Sequence, residues 1–154
     1  MNHLINISEA ASLGFHGLAL IAAEAPRRLN VRVVAEKLHA SEAHLAKVFQ
    51  SLSKGGLVSS QRGPSGGFIL NKPAQEISFL EVYEIIESPV HLTDCPLGYT
   101  QCGFHACIFE QKLNKISREI LNMFEAIKLS HFSNPADRGT EENKDGAQPL
   151  EVQK

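Results

Sequence analysis

The segment from Ser41 to Leu70 restricts the possible folds more than any other part of the sequence. Ser41 is a good N-cap for a helix, and the residues after it place one apolar face inward, formed by Leu45, Val48, Phe49 and Leu52. Gly55-Gly56 stops this helix, and two short apolar runs then flank a glycine-rich turn over residues 62–67. A helix followed at once by a β-hairpin predicts the third helix and the wing of a winged-helix domain.

Two further helical patterns precede this segment. Ser8 caps the first, which ends near Pro26 and buries Ala11, Phe15, Leu18 and Ala22. The second runs from Val31 to Leu38, and His39-Ala40 makes a short break before Ser41. Two short helices joined by a brief turn are typical of a helix-turn-helix, whose second helix enters the major groove of DNA.

The distribution of charge favours a polyanionic partner. The chain has 154 residues and a formal net charge of −2, but residues 27–72 contain eight basic and two acidic residues, a local charge of +6. We therefore predict a basic DNA-binding face, although a merely solvated basic surface is an alternative. No Lys-Ser or Lys-Thr follows the glycines of the 62–67 turn, which argues against a nucleotide-binding loop. The candidate DNA-binding residues are Ser41, His44, Lys47, Gln50, Arg62, Gly63, Ser65 and Gly66.

All three cysteines of the protein lie within thirteen residues, at Cys95, Cys102 and Cys107. The segment also contains Pro96, Gly98 and Gly103, which allow the backbone to curl around one point. Thiolates suit iron-sulfur clusters, copper(I) or zinc, and an odd number of cysteines argues against a disulfide framework. A zinc site or three reduced thiols are alternatives. An enzyme with a cysteine nucleophile and His105 as its base lacks any supporting motif, so we do not expect an enzyme.

A helix from about residue 77 to 87 leads into the cysteines, and a longer one follows them to about Leu129. The longer helix has apolar residues at steps of four and three, at Phe109, Leu113, Ile116, Ile120, Met123 and Ile127. This spacing predicts either packing on its own domain or, as we expect, a two-fold contact with a second copy. The fold class is therefore mainly α with a small β-hairpin.

The predicted organisation has four parts. Residues 1–88 form the winged helix-turn-helix domain, 89–108 the cysteine segment, 109–132 the dimerisation helix and 133–154 a polar, disordered tail. No apolar run approaches the ~20 residues of a membrane span, and the sequence begins without the features of a signal peptide. We therefore expect a cytoplasmic protein with reduced or metal-bound thiols.

The combination of these motifs resembles the Rrf2 family of winged-helix transcriptional regulators, in particular its IscR-like and NsrR-like members. The resemblance covers about residues 1–130 and depends mostly on Arg62-Gly-Pro-Ser-Gly-Gly-Phe68, on Lys54-Gly-Gly-Leu57-Val58 and on the three cysteines. It implies a homodimeric regulator, usually a repressor, that binds a palindromic operator. Its iron-sulfur cluster, of the 2Fe-2S or 4Fe-4S type, would sense nitric oxide, redox conditions or iron-sulfur status. A regulator of the same fold with a zinc or thiol-redox site is the alternative function.

The resemblance also implies a fourth ligand that is not a cysteine. Some members use a histidine three residues after the third cysteine, where this chain has Glu110. Others use an acidic residue at the start of the first helix, lent by the other subunit, where this chain has Glu9. We expect Glu9 to be the ligand, with Glu110 second and His105 third. The gap of four residues between Cys102 and Cys107 is shorter than the five common in the family, which leaves the cluster type open.

Overall fold

The computed structural model describes residues 6–63, 66–92, 95, 104–109 and 112–133. Within them the helices are α1 (Glu9–Ala23), α2 (Val31–Leu38), α3 (Glu42–Lys54), α4 (Phe79–Glu87) and α5 (Lys112–Ala126). The strands β1 (Val58–Gln61) and β2 (Gly67–Leu70) pair antiparallel. Two short 3₁₀ helices, Ala74–Glu76 and Leu129–Phe132, complete the described elements. The predicted fold class, mainly α with one hairpin, is confirmed.

The helix ends follow the local signals in the sequence. The Ser8 hydroxyl accepts a hydrogen bond from the Ala11 amide at 2.9 Å, and the Ser41 hydroxyl accepts one from the His44 amide at 3.4 Å. His39, between α2 and α3, has a left-handed backbone with φ of 51°. That conformation turns the chain sharply, so α3 starts close to the end of α2 and the two helices form the predicted helix-turn-helix.

The core lies around α1, which packs against α3 and α4. Leu18, Phe49 and Val34 are fully buried, as are most residues predicted to face inward. Burying each such side chain stabilises the fold by about 1.5–3 kcal/mol. Gly17 lies against Phe49, where an added Cβ would come within 3.0 Å of the ring, so the small residue permits α1 and α3 to approach closely.

The hairpin is also joined to the rest of the domain by hydrogen bonds between backbone atoms that the sequence did not indicate. Leu29, between α1 and α2, exchanges two hydrogen bonds with Phe68 of β2, at 2.8 and 3.3 Å. The ring of Phe68 also stacks on Phe49 of α3, with centroids 4.7 Å apart. The orientation of the wing relative to α3 is therefore fixed by both backbone and side-chain contacts.

The C-terminal helix packs on its own domain through one side chain in particular. Phe124 of α5 is buried against Phe15 of α1 and Tyr83 of α4. The helix ends at Ala126, slightly earlier than predicted, because the next residues pair with the start of α4. The Phe79 amide donates to the Ile127 carbonyl and the Leu129 amide to the Ile77 carbonyl, both at 3.0 Å.

Candidate DNA interface and cysteine segment

The outer face of α3 carries the polar residues that the sequence predicted for DNA contact. Helix α3 buries its apolar face against α1, and this orientation leaves Lys47 and Gln50 exposed and His44 partly exposed. Ser41 is exposed as well, but its hydroxyl already caps the helix. Because the three longer side chains are spaced three residues apart, they lie along one side of α3. This side can present hydrogen-bonding groups and one positive charge to a groove of DNA.

The wing places a second set of predicted residues at the surface. Arg62 and Gly63 are exposed at the end of β1, and the Gly66 amide donates to the Gly63 carbonyl at 2.9 Å to close the turn. Gly63 has φ of 117°, a conformation that favours glycine. Ser65, also predicted to contact DNA, lies outside the described residues. The described part of the turn is therefore a tight, exposed loop beside an arginine.

The basic residues of the 27–72 region fall into two groups. Four of them make ion pairs with glutamates: Arg27 and Lys37 with Glu24, Arg32 with Glu36 and Lys72 with Glu81. Arg28, Lys47, Lys54 and Arg62 make no ion pair with any residue that the structure describes. Three of these four unpaired charges lie on α3 and the wing, which are the two elements that a winged helix uses to contact DNA, whereas Arg28 lies between α1 and α2.

An acidic residue lies beside this face. Oε1 of Glu9, in the first turn of α1, is 3.4 Å from Nδ1 of His44 on α3. The two residues are 35 positions apart, and no local sequence pattern indicates the contact. The contact places Glu9, the candidate fourth metal ligand, next to His44, a candidate DNA-binding residue.

The cysteine segment lies between α4 and α5 and is described in part. Cys95 and Cys107 are both half-buried, whereas Cys102 and the runner-up ligand Glu110 lie outside the described residues. In the described portions of the chain, no group of three or more histidine, cysteine, aspartate or glutamate side chains could hold a metal ion. The donor chemistry nevertheless fits an iron-sulfur cluster, because three cysteines of one short segment supply soft thiolate ligands.

The predicted dimer residues of α5 separate into two sets. Leu113, Ile116 and Met123 are 40%, 46% and 48% exposed. Ile120 and Ile127 are half-buried, and Ile120 packs against the core of its own domain. A groove of about 460 Å³, lined in part by Ile7, Tyr83, Leu113, Ile120 and Phe124, lies beside the exposed set. The helix therefore uses one edge of its apolar face for its own domain and leaves the other uncovered.

Among the residues that the structure describes, no helix has both the length and the apolar character needed to cross a membrane.

Comparison with known proteins agrees with this architecture. The B. subtilis protein CymR, described as the global cysteine regulator, has a solved structure that matches with a TM-score of 0.69 and 18% identity, over 84% of this chain and 97% of that one. IscR from T. potens matches with a TM-score of 0.66 and 21% identity, over 82% and 85% of the two chains. At these identities the two structures support the winged-helix fold alone.

Proteins of similar sequence identify the family more specifically than the solved structures do. IscR from Photorhabdus laumondii, an HTH-type transcriptional regulator, is 34% identical over 102 residues, which are 66% of this chain and 62% of that protein. A family model described as Rrf2, iron-dependent transcriptional regulator, matches residues 7–135. The matched proteins are transcriptional regulators, so the prediction that this protein is not an enzyme is confirmed. The chain belongs to the Rrf2 family of winged-helix transcriptional regulators.

Proposed function

We propose that this protein binds operator DNA as a two-fold dimer, and that an iron-sulfur cluster held by Cys95, Cys102 and Cys107 controls this binding. The observation that carries the proposal is the position of the three cysteines. They occupy one short segment between α4, which packs on the DNA-binding domain, and α5, which has an uncovered apolar edge. A change in ligation at this segment would act on both elements.

The DNA-binding part of the proposal is supported by the exposed and unpaired groups of α3 and the wing. Lys47 and Arg62 carry charges that no glutamate of the described chain neutralises, and both are exposed. Lys47 would contact phosphate or a base edge in the major groove. Arg62 would reach a neighbouring phosphate or the minor groove from the wing. Gln50 offers an amide that can pair with adenine.

The dimer is supported by the uncovered edge of α5. Three large apolar side chains, Leu113, Ile116 and Met123, are exposed at steps of three and seven, which is the spacing of a helix-helix contact. A symmetry mate packed on this edge would bury them. It would also set two recognition helices about one turn of DNA, ~34 Å, apart, so we expect the operator to be a palindrome.

The cluster is the part of the proposal that concerns the signal. It would supply a centre that nitric oxide, oxygen or iron shortage can modify or remove. Glu9 is the proposed fourth ligand, donated to the cluster of the other subunit, and Glu110 is the second choice. Phe104 and Ile108, which lie within three residues of Cys107 in the sequence, are exposed apolar residues that would limit access of water to such a centre once they are covered.

A thiol-based sensor is the second candidate function. One solved structure of similar fold is described as the oxidized form of Staphylococcus aureus CymR, with a TM-score of 0.66 and 21% identity. In such a sensor the cysteines of this chain would change oxidation state directly, without a cluster. A zinc-bound form of the same segment would resemble the cluster form in its ligands but would be colourless.

The test is the absorption spectrum of anaerobically purified protein, together with its iron, sulfide and zinc content. The proposal predicts visible absorption that Cys102→Ala abolishes, and operator affinity that differs at least about tenfold between cluster-loaded and cluster-free protein. Replacing Glu9 and Glu110 separately by alanine identifies the fourth ligand from the same spectra. A colourless protein that contains zinc, or one whose affinity responds to thiol oxidation alone, would contradict the proposed cofactor.

A further inference from the structure

An ion pair joins the end of the wing to α4. Lys72 lies just after β2, and its Nζ donates hydrogen bonds to both carboxylate oxygens of Glu81 in α4, at 2.7 and 2.8 Å. The two side chains are 33% and 34% exposed, so water and salt screen this pair less than they screen a fully exposed one. A movement of α4 would therefore act directly on the chain at the end of the wing.

The residue before Lys72 extends this link to α3. The backbone amide of Asn71 donates to the Leu57 carbonyl, and its side-chain Nδ2 donates to the Gly56 carbonyl, both at 2.9 Å. Gly56 and Leu57 lie between the end of α3 and the start of β1. Asn71 and Lys72 thus connect α4 to the junction of the two elements that we propose for DNA binding.

Helix α4 also packs directly against this junction. Gly55 follows the last residue of α3, and an added Cβ there would lie 2.7 Å from the side chain of Ile85 in α4. Because the two elements are already in close contact, α4 cannot move toward α3 unless the junction is displaced. The ion pair resists separation of α4 from the wing, and the packing contact resists their closer approach.

The opposite end of α4 leads into the cysteine segment. The amide of Val90, just after the helix, donates to Oε1 of Glu84 at 3.3 Å. Glu84 lies one helical turn after Glu81 in the nine-residue helix. Short helices and hydrogen-bonded side chains can carry a displacement between two sites. A shift of the chain at Val90 would therefore reach Glu81 through α4.

We propose that the ion pair between Lys72 and Glu81 transmits the state of the cysteine segment to the wing. A change at the three cysteines would shift α4, and the ion pair would then shift the wing and the end of α3 relative to DNA. Neither residue is among the proposed cluster ligands or DNA contacts. The inference rests on the proposed function, because it takes the cysteine segment as the place where the signal acts.

The experiment compares variants of the full chain in which this contact is broken. Glu81→Gln and Lys72→Met each remove one charge with little change in size, and the double variant Lys72→Glu/Glu81→Lys exchanges the two charges. Lys37→Met is the matched control, because it breaks the 3.3 Å ion pair of Lys37 with Glu24, which joins α2 to the end of α1.

Two quantities are measured for each protein. The first is the ratio between the affinities of the cluster-loaded and the cluster-free protein for a duplex that the wild type selects from a random library. The second is the rate of amide hydrogen exchange in β1 and β2 of the cluster-free protein. The exchange rate reports on the attachment of the wing and needs neither cluster nor DNA.

We expect Glu81→Gln and Lys72→Met to lower the affinity ratio from about tenfold to below about threefold. Amide exchange in the two strands should become faster by roughly threefold or more. The charge-exchanged variant should recover most of the ratio, and Lys37→Met should keep the wild-type ratio and exchange rates. A purely structural role would lower both affinities alike and would leave their ratio unchanged.

A wild-type affinity ratio in both Glu81→Gln and Lys72→Met would overturn the inference, and so would unchanged amide exchange in the two strands. A wild-type protein that binds the selected duplex equally well with and without the cluster would instead refute the proposed function. The two failures are therefore distinguishable.

Discussion

The ring of Phe124 on α5 meets the ring of Phe15 on α1 edge to face, with centroids 5.5 Å apart and planes inclined by 76°. Phe15 in turn stacks on Phe79 of α4 at 4.5 Å. Helix α5 is therefore joined to the DNA-binding domain through an aromatic cluster, and it does not extend from the domain as an isolated element. Any signal that moves α5 must act against these contacts.

Replacing Phe124 by alanine should lower the free energy of unfolding by roughly 3–5 kcal/mol, since it removes a buried ring and leaves a cavity between α1, α4 and α5. Phe109→Ala is the control, because Phe109 is exposed and precedes α5. Urea denaturation followed by circular dichroism at one fixed protein concentration measures both changes. Equal effects of the two substitutions would mean that Phe124 is not part of the core.

The wing offers a matched pair of glycines. An added Cβ at Gly67, where φ is 147°, would lie 2.6 Å from the backbone of Leu29, whereas at Gly63, where φ is 117°, it would meet no other described residue within 4 Å. Both alanine variants carry backbone strain of order 1–3 kcal/mol, but only Gly67→Ala also separates the wing from Leu29. We expect Gly67→Ala to be the less stable and the weaker in DNA binding. Thermal denaturation and a binding titration test this order.

Lys47→Ala and Arg62→Ala should each weaken binding to duplex DNA. If both side chains contact phosphates, each substitution should also reduce the slope of log affinity against log salt concentration by about 0.9. Lys115→Ala removes the same charge from an exposed site on α5, which is not one of the two proposed DNA-binding elements, and is the control. Fluorescence anisotropy at several salt concentrations measures the slopes. If both variants keep the wild-type slope, the DNA interface lies on another part of the protein.

The uncovered edge of α5 predicts a defined change in oligomeric state. Ile116→Asp/Met123→Asp places two charges on that edge, and burying them against a second copy would cost several kcal/mol each. We expect monomers by light scattering, with circular dichroism unchanged. Lys115→Asp/Asn122→Asp introduces aspartates at the same spacing on exposed polar positions of α5 and should remain dimeric. A dimeric Ile116→Asp/Met123→Asp protein would place the interface elsewhere.

Much of the fold could be predicted because its signals are local. Ser8 and Ser41 cap their helices, and the period of apolar residues identifies the inward face of α1 and α3. Glycines mark the C-terminal end of α3 and the turn of the hairpin. Each of these signals depends on residues within about one turn of each other. The helices, the hairpin and the membership of a winged-helix family could therefore be predicted from the sequence alone.

The packing of the helices was needed to tell which of several similar residues are buried and which basic residues are paired with acids. The apolar pattern predicted for the C-terminal helix contains Phe109, Leu113 and Ile116, which are exposed. It does not contain Phe124, which is the residue buried against α1. Likewise, the eight basic residues of the 27–72 region looked alike in the sequence, yet within the described chain four of them pair with glutamates, whereas Lys47 and Arg62 make no ion pair there.

The contact between Glu9 and His44 is the clearest example of a feature that could not be predicted from the sequence. Each residue has an ordinary local explanation, as a first-turn glutamate and as a polar residue on an exposed helix face. Their distance of 3.4 Å is set by the packing of α1 on α3, through the buried residues that separate them in the chain. The helices, the strands and their buried faces follow from local sequence. Contacts between distant residues follow from how those faces pack, because the approach of two side chains depends on the relative position of whole helices.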